Sequence, residues 1–438
     1  MRDPVGEVGQ VAEVPEADAV RAVANAQAPE IRRPRRAPVF PALQHRNYRL
    51  FYAGFVVSLL GVWMQRVAQS WLVLELTDSA FWVGAVGAVT FVPVLLFTLY
   101  AGVVADRVPR RSMVVVTQTG SMIAALALAA LALGGIVELW HVVVLAAVLG
   151  TANAFDIPAR HALMVDLVGR DDLTNAVALN SSAFNATRVV GPAIAGVLVA
   201  TVGVGVCFLV NGISYVAVIA ALLTLKLPRA ERPRGLGPSA WSRLRDGFRH
   251  VVGDIRTRTL IINIATVSIF GLPAMVLLPV MARDVLGYGA QAYGWMMSAM
   301  GLGALAGALG LAVFGHRLPR GRLLGWGARI FGLCVALFGI SPWLPLSLVI
   351  LVALGFSMII MTALTNTLIQ TFAPDELRAR VVAFYAWAFV GLSPIGAFLA
   401  GTVAEWVGTP WTIAGGGTIC LLVAYGIVGR SDALWETR

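Results

Sequence analysis

"DRVPRR" at positions 106–111 and "HRLPRG" at 316–321 are two copies of one short basic loop. Laid on one another, they set Arg107, Pro109 and Arg110 against Arg317, Pro319 and Arg320 at an offset of about 210 residues, the signature an internal repeat leaves. Gly84 falls on Gly294 at the same displacement. Farther along, the offset drifts to about 204, where "RDDL" (170–173) meets "PDEL" (374–377) and Pro192 nearly meets Pro394. The matches keep their order, so the chain reads as one unit used twice.

Apolar runs flank both copies. The 438 residues are 58% apolar and 13% charged, with a mean hydropathy of +0.80, against a soluble norm of about 25% charged. A helix rising 1.5 Å per residue needs about 20 apolar residues to cross the hydrocarbon core. Twelve spans are expected, over 50–74, 82–104, 113–133, 140–160, 176–199, 205–225, 259–282, 292–314, 323–340, 345–370, 380–404 and 411–428. None shows the alternation of a barrel strand, so each span must satisfy its backbone internally as a helix. The expected fold is an all-α membrane protein of twelve transmembrane helices in two pseudo-symmetric six-helix bundles. Parallel repeats of this kind are a transporter architecture, with the substrate site between the halves at the midplane.

The longest polar break divides the halves. It holds "PRAERPRGLGP" and then "SAWSRLRDGFRHVVGD", in which Trp241, Leu244, Phe248 and Val251 recur at helical spacing. That pattern predicts an amphipathic helix on the membrane surface. The expected organisation is a disordered tail over 1–40, an N-terminal bundle over 41–226, the linker over 227–258, a C-terminal bundle over 259–428 and a short tail over 429–438. Residues 1–40 lack the apolar core of a signal peptide. Their cluster Arg32, Arg33, Arg35 and Arg36 stands where it can touch anionic lipid.

The formal charge of +10 raises the question of nucleic acid. Placing both termini in the cytoplasm puts all but four of the 33 Lys and Arg on that side, the exceptions being Arg66, Arg188 and Arg329 within spans and Arg283 outside. This is a positive-inside pattern, and it makes nucleic-acid binding unnecessary. Cys207, Cys334 and Cys420 fall inside spans, and the five histidines are scattered, so neither a metal site nor a cofactor is expected. No GxxxxGK[ST] loop is present for ATP, and no nucleophile stands beside a base as an enzyme would need.

"GVVADRVPRRSMV" places Gly102, Asp106, Arg107, Arg110 and Arg111 in a tight loop where helix ends meet the surface. It resembles the loop motif GxLaDRxGRRxxL of the major facilitator superfamily, departing from it at Val104 and Pro109. "GVWMQRVAQSWLVLELTDS" (61–79), "AFDIPARHALMVDLV" (154–168) and "NATRVVGPAIAGVL" (185–198) are similar to the enterobactin-exporter-like branch of that superfamily, the transmembrane secretion effectors. The likeness covers about residues 40 to 430 and implies export of small amphipathic compounds. It also implies that Asp106 and Arg110, with Arg107 beside them, form a cytoplasmic gate latch, and that Asp156 exchanges partners with Arg110. A fixed ion pair is the other reading of Asp156. His316 occupies the acid position of the second copy of the loop.

Charges left in a bilayer usually face a cavity or a partner. Arg66, with Gln65 and Gln69 on a neighbouring face, gives the first span a polar patch that either lines a cavity or bonds a neighbouring helix. Asn153, Asp156 and Arg160 lie near one face of the fourth span, and Ser181, Asn185 and Arg188 near one face of the fifth. Gly191, Pro192 and Gly196 resemble part of the family's antiporter motif; otherwise they bend and pack the helix, and Gly102 is grouped with them as a packing glycine. Asn366 and Gln370 continue a polar face from Thr362 on the tenth span, a helix that lines the cavity in the family's arrangement.

The expected function is a proton-coupled exporter of small siderophore- or drug-like molecules working by alternating access. It is placed in the inner membrane as a monomer, with the substrate, protons and the lipid bilayer as partners. An uncoupled facilitator or importer, or a receptor that does not transport, is the alternative.

Overall fold

The computed structural model describes residues 40–225, 248–315 and 319–428, apart from the side chains of Thr98, Leu99, Val103 and Asp106. The two tails, Trp241 and Leu244 of the expected amphipathic helix, and His316 and Arg317 lie outside the described residues.

The long helical segments among the described residues are α1 (Arg46–Thr77), α2 (Ala80–Arg107), α3 (Arg110–Leu133), α4 (Leu139–Val168), α5 (Leu173–Val202), α6 (Val204–Thr224), α7 (Ile255–Val276), α8 (Ala290–Phe314), α9 (Arg320–Gly339), α10 (Leu344–Phe372), α11 (Arg378–Val407) and α12 (Thr409–Val423). Among the described residues, eleven are long and apolar enough to cross a membrane. The last, α12, is 15 residues long and continues into a five-residue π-helical turn, Ala424–Val428. Several run past the lengths expected from hydropathy. α4 continues through Pro158 to Val168, which places Asp156 well inside the helix rather than at its end. α7 starts at Ile255, inside the expected linker, because the Asp254 side chain accepts the Thr257 N–H at 2.9 Å and caps the helix there.

Helix pairing repeats. In the first six helices α2 packs on α4, α3 on α4 and on α6, and α1 on α5 and α6; in the last six α8 packs on α10, and α9 on α10 and α12. Two seams join the sets, α5 to α8 and α2 to α11. Small residues make both seams possible, since van der Waals packing replaces the hydrophobic effect in lipid. A Cβ on Gly84 would lie 2.8 Å from the Cα of Gly401, and one on Gly294 would lie 2.8 Å from the Cα of Gly196. These are the same contact made twice, because Gly294 is the repeat partner of Gly84. Gly150 meets the Thr90 carbonyl of α2 just as Gly355 meets the Met300 carbonyl of α8.

α7 and α11 each contain a π-helical turn, Val267–Gly271 and Trp387–Gly391. Such a turn releases backbone groups from the regular ladder. One is used at once: Ser268 Oγ donates to the Phe389 carbonyl at 2.7 Å, tying the two turns together.

Candidate functional site

The Arg107–Arg110 loop closes one end of the helices, here the motif end. The opposite end is the far end.

Midway along α5, about 20 Å from either terminus at 1.5 Å per residue, Arg188 is 6% exposed and its Nε has no hydrogen-bond partner. Its guanidinium carbon lies 6.0 Å from the ring centre of Trp63 on α1. Arg66, one turn along α1, places its own guanidinium 4.7 Å from the same ring and is exposed. Trp63 is buried, its Nε1 likewise lacks an acceptor, and Phe184 of α5 meets the indole edge-on at 5.4 Å. Gly191 makes this approach of α1 and α5 possible, since a Cβ there would stand 2.6 Å from that of Trp63. Two cations thus share one indole at mid-depth along the helices, Arg188 buried and Arg66 exposed. A buried cation such as Arg188 costs at least about 2.5–3.5 kcal/mol at mid-bilayer, and a cation–π contact returns only about 0.5–2 kcal/mol.

The neighbouring residues separate by role. Gln65 is buried and accepts a hydrogen bond from Asn211 of α6, whose carbonyl accepts from Ser214 at 2.7 Å, so it holds α1 to α6. Gln69 is half-buried. Asn185 is half-buried and donates to the Ser181 carbonyl at 2.9 Å. On α10, Gln370 donates to Asn366 Oδ1 at 3.2 Å, and Arg378 donates to the Gln370 carbonyl at 2.9 Å. Gln370 and Arg378 line a recess of about 480 Å³ with Thr367 and Thr371.

Asp156 is 3% exposed and fully engaged. Oδ1 accepts from Thr117 at 3.0 Å and Gln118 at 2.9 Å, and Oδ2 meets Arg160 at 3.0 Å. Arg160 also lies 5.0 Å from the ring centre of Phe55. Asn153, three residues earlier, is exposed. Arg110 pairs elsewhere, with Asp166 at 2.7 Å and the Ala162 carbonyl at 3.2 Å. Arg111 donates to the Leu223 and Leu225 carbonyls at 2.6 and 3.1 Å, neutralising the negative end of α6. Arg107 is exposed. An added Cβ at Gly102 meets nothing within 4 Å, whereas Gly191, Gly196 and the Pro192 carbonyl stand in tight contacts.

Sequence reasoning missed the polar contacts at the far end. Arg283 reaches Asp78 at 2.8 Å and the Leu74 carbonyl at 3.1 Å, and Glu405 accepts from Ser79 Oγ at 3.1 Å and the Phe81 N–H at 3.2 Å. These contacts join the first six helices to the last six. The Asp284 carboxylate, hydrogen-bonded to Arg283, raises its pKa, and Asp78 adds to the effect. The signal was present, since Arg283 stood alone among the basic residues. A groove of about 790 Å³ between α2, α3 and α4 is lined by apolar groups such as Val116, Val148 and Phe155 and suits lipid chains rather than a polar cargo. Among the described residues no His, Cys, Asp and Glu cluster to hold a metal.

An all-helical membrane protein with polar groups at mid-depth and paired helix seams belongs to the transporter class. The family of transmembrane secretion effectors matches residues 37–436, and the chain belongs to it: it is a transporter of the major facilitator superfamily, not an enzyme. It is 30% identical to the multidrug efflux pump Tap of Mycolicibacterium fortuitum over 350 residues, covering 78% of this chain and 85% of that one. It is 26% identical to the enterobactin exporter EntS of Escherichia coli, covering 82% and 85%. Its fold matches a bacterial homologue of the lysosomal transporter Spinster, solved inward-facing and unoccupied, with a TM-score of 0.70 at 13% identity, covering 89% and 97%.

Proposed function

We propose that the protein is a proton-coupled exporter of small amphipathic, siderophore- or drug-like molecules, working by alternating access as a monomer in the inner membrane with both termini in the cytoplasm. α12 with its π-helical extension is the twelfth span, and the six-helix bundles over 41–226 and 259–428 are the two rocking units. The observation that carries this reading is the placement of the contacts between the two sets: Arg283–Asp78, Glu405–Ser79 and the Gly84–Gly401 and Gly196–Gly294 seats all lie toward the far end. With the far end facing out, this is an inward-facing state with its outer gate shut, the state of the Spinster homologue. The positive-inside pattern supports the orientation, and the names of the two exporters support the direction and the kind of cargo.

Asp156 is the acid we assign to coupling, with Asp106, Arg107 and Arg110 at the inner gate. Gln69, Asn153, Asn185, Asn366 and Gln370 are assigned to the cavity wall together with Arg66 and Arg188, and Gln65 supports them from the α1–α6 seam. The test is accumulation of siderophores and drugs in an efflux-deficient host with and without a protonophore. Expression should lower accumulation several-fold, and the protonophore should abolish the difference. An unchanged accumulation across the panel would remove the export reading.

A further inference from the structure

We infer that Arg66, Arg188 and the Trp63 indole N–H form an oxyanion seat, and that the cargo carries a carboxylate-class anion on an aromatic or apolar body. This rests on the transport reading above and names the chemistry of its cargo.

Three donors gather around one ring: two guanidiniums within 6.0 Å of the Trp63 ring centre and the indole N–H itself. Arg188 Nε and Trp63 Nε1 are buried with no acceptor, and buried polar groups in native proteins are almost always satisfied. A donor set without an acceptor lacks one component, and two positive charges define its sign. Asp156 and Glu75, acids of the packed helices, are committed elsewhere. Asp156 is filled by Thr117, Gln118 and Arg160, and Glu75 accepts from Trp71 at 2.6 Å. Tyr215 of α6, the titratable neighbour of Arg66, is engaged by Asn211 and Ser121.

Access and shape agree with this. Arg188 and Trp63 are packed away, while Arg66 and Phe184 are exposed. The seat therefore has a rigid back and an open front with one cation and one aromatic ring. A guanidinium fork matches a planar carboxylate, and the Phe184 and Trp63 rings favour an aromatic body beside it.

The test holds the scaffold constant and changes its charge. Binding of 2-naphthoate, neutral 2-naphthamide and cationic 2-naphthylmethylammonium is measured on the purified full-length protein in nanodiscs by tryptophan fluorescence and thermal shift. The same ligands are run on Arg66→Gln, Arg188→Gln, the double variant, and Arg329→Gln as a membrane-embedded arginine outside the seat. The expected result is naphthoate bound at least about tenfold tighter than the amide, as hydrogen bonds to a charged group give. That ratio should fall towards one in the double variant, persist in Arg329→Gln, and be partly rescued by Arg66→Lys. Equal binding of the three ligands, no binding of naphthoate at millimolar concentration, a preference that survives the double variant, or an anion preference for buffer acetate alone, an adventitious ion only, would each overturn the seat. Proteoliposome efflux of a compound from the accumulation panel separates the two readings. Flux without charge preference leaves the exporter and removes the seat; charge preference without flux does the reverse.

Discussion

Arg110 donates to Asp166 at 2.7 Å, fixing the first turn of α3 to the last turn of α4. The arginine at the centre of the loop motif is therefore anchored inside the first six helices. Both side chains are partly exposed, 29% and 20%, so the pair contributes at most about 1 kcal/mol to stability. Asp166→Asn should lower the unfolding temperature by about 3 °C or less yet reduce export several-fold, because the loop between α2 and α3 loses its anchor. Thermal unfolding and accumulation measured on one preparation check this; equal loss of both would make the pair structural only.

The far-end contacts give a prediction about state. Hydrogen bonding to Asp284, and after it to Asp78, raises the Arg283 pKa above its ordinary value. A raised value means its stabilisation is complete below the unfolded pKa and is lost only as pH rises through the still higher folded one, so Arg283 does not titrate between pH 5 and 9. Arg283→Gln should open the far end at any physiological pH. With the three native cysteines replaced by alanine, a cysteine at position 69 should react with an impermeant maleimide from outside roughly fivefold faster in that variant, on the order of 1 kcal/mol of population shift. An unchanged rate would show that the glycine seams and the Glu405 contacts hold the far end shut without Arg283.

The repeat makes a paired prediction. Gly84 and Gly294 occupy the same contact against Gly401 and Gly196, so Gly84→Ala and Gly294→Ala should destabilise by similar amounts, about 1–3 kcal/mol of overpacking each. Gly102→Ala should be neutral or stabilising by up to about 1 kcal/mol, since space is open there and alanine favours helix over glycine. Denaturant or thermal unfolding of the three variants decides it.

The fold was legible because lipid leaves so few solutions: long apolar runs had to be helices, and the "DRVPRR" repeat had to relate two sets of them. The glycines at 84 and 294 marked the repeat, and the structure places both of them in the seams. What sequence could not give was partner choice. Gln65 and Arg66 are adjacent on one helix, but a turn of 100° per residue sends Gln65 into the α6 seam and leaves Arg66 exposed. Asp156 and Asp166 stand on one helix beside Arg110 and Arg160 of the same packed pair, and only packing decides that Asp156 takes Arg160 and Arg110 takes Asp166. The Arg283–Asp78 pair joins residues about 200 positions apart, a distance no local pattern spans.

Asp254 caps α7 with 2.9 and 2.5 Å bonds from the Thr257 N–H and Oγ1. Burial pushes its carboxyl pKa up, but the Thr257 side chain and backbone, the Arg256 backbone and His250 outweigh that and hold it below 3.8. A depressed value contributes stability above the unfolded pKa that is lost as pH falls through the folded one. Asp254→Ala should cost about 0.5–2 kcal/mol at neutral pH, and the difference from wild type should shrink as pH drops below 3.8. Unfolding measured across that window tests the sign.

Asp156→Asn distinguishes a proton relay from a fixed pair. The carboxylate is buried, with Thr117 and Gln118 on one oxygen and Arg160 on the other. Protonation removes the charge pairing with Arg160, and Arg160 beside Phe55 is then held less tightly. If that step couples transport, Asp156→Asn mimics the protonated state permanently. Protonophore-sensitive export should then fall at least tenfold, about 1.4 kcal/mol in the coupled step, while counterflow of cargo between loaded liposomes stays within about threefold. A purely structural pair behaves differently, because removing one partner strands a buried charge at about 3–5 kcal/mol. Asp156→Asn would then lower thermal stability and stop export and counterflow together. The ratio of export to counterflow therefore reads the role of the acid directly, whatever the variant does to folding.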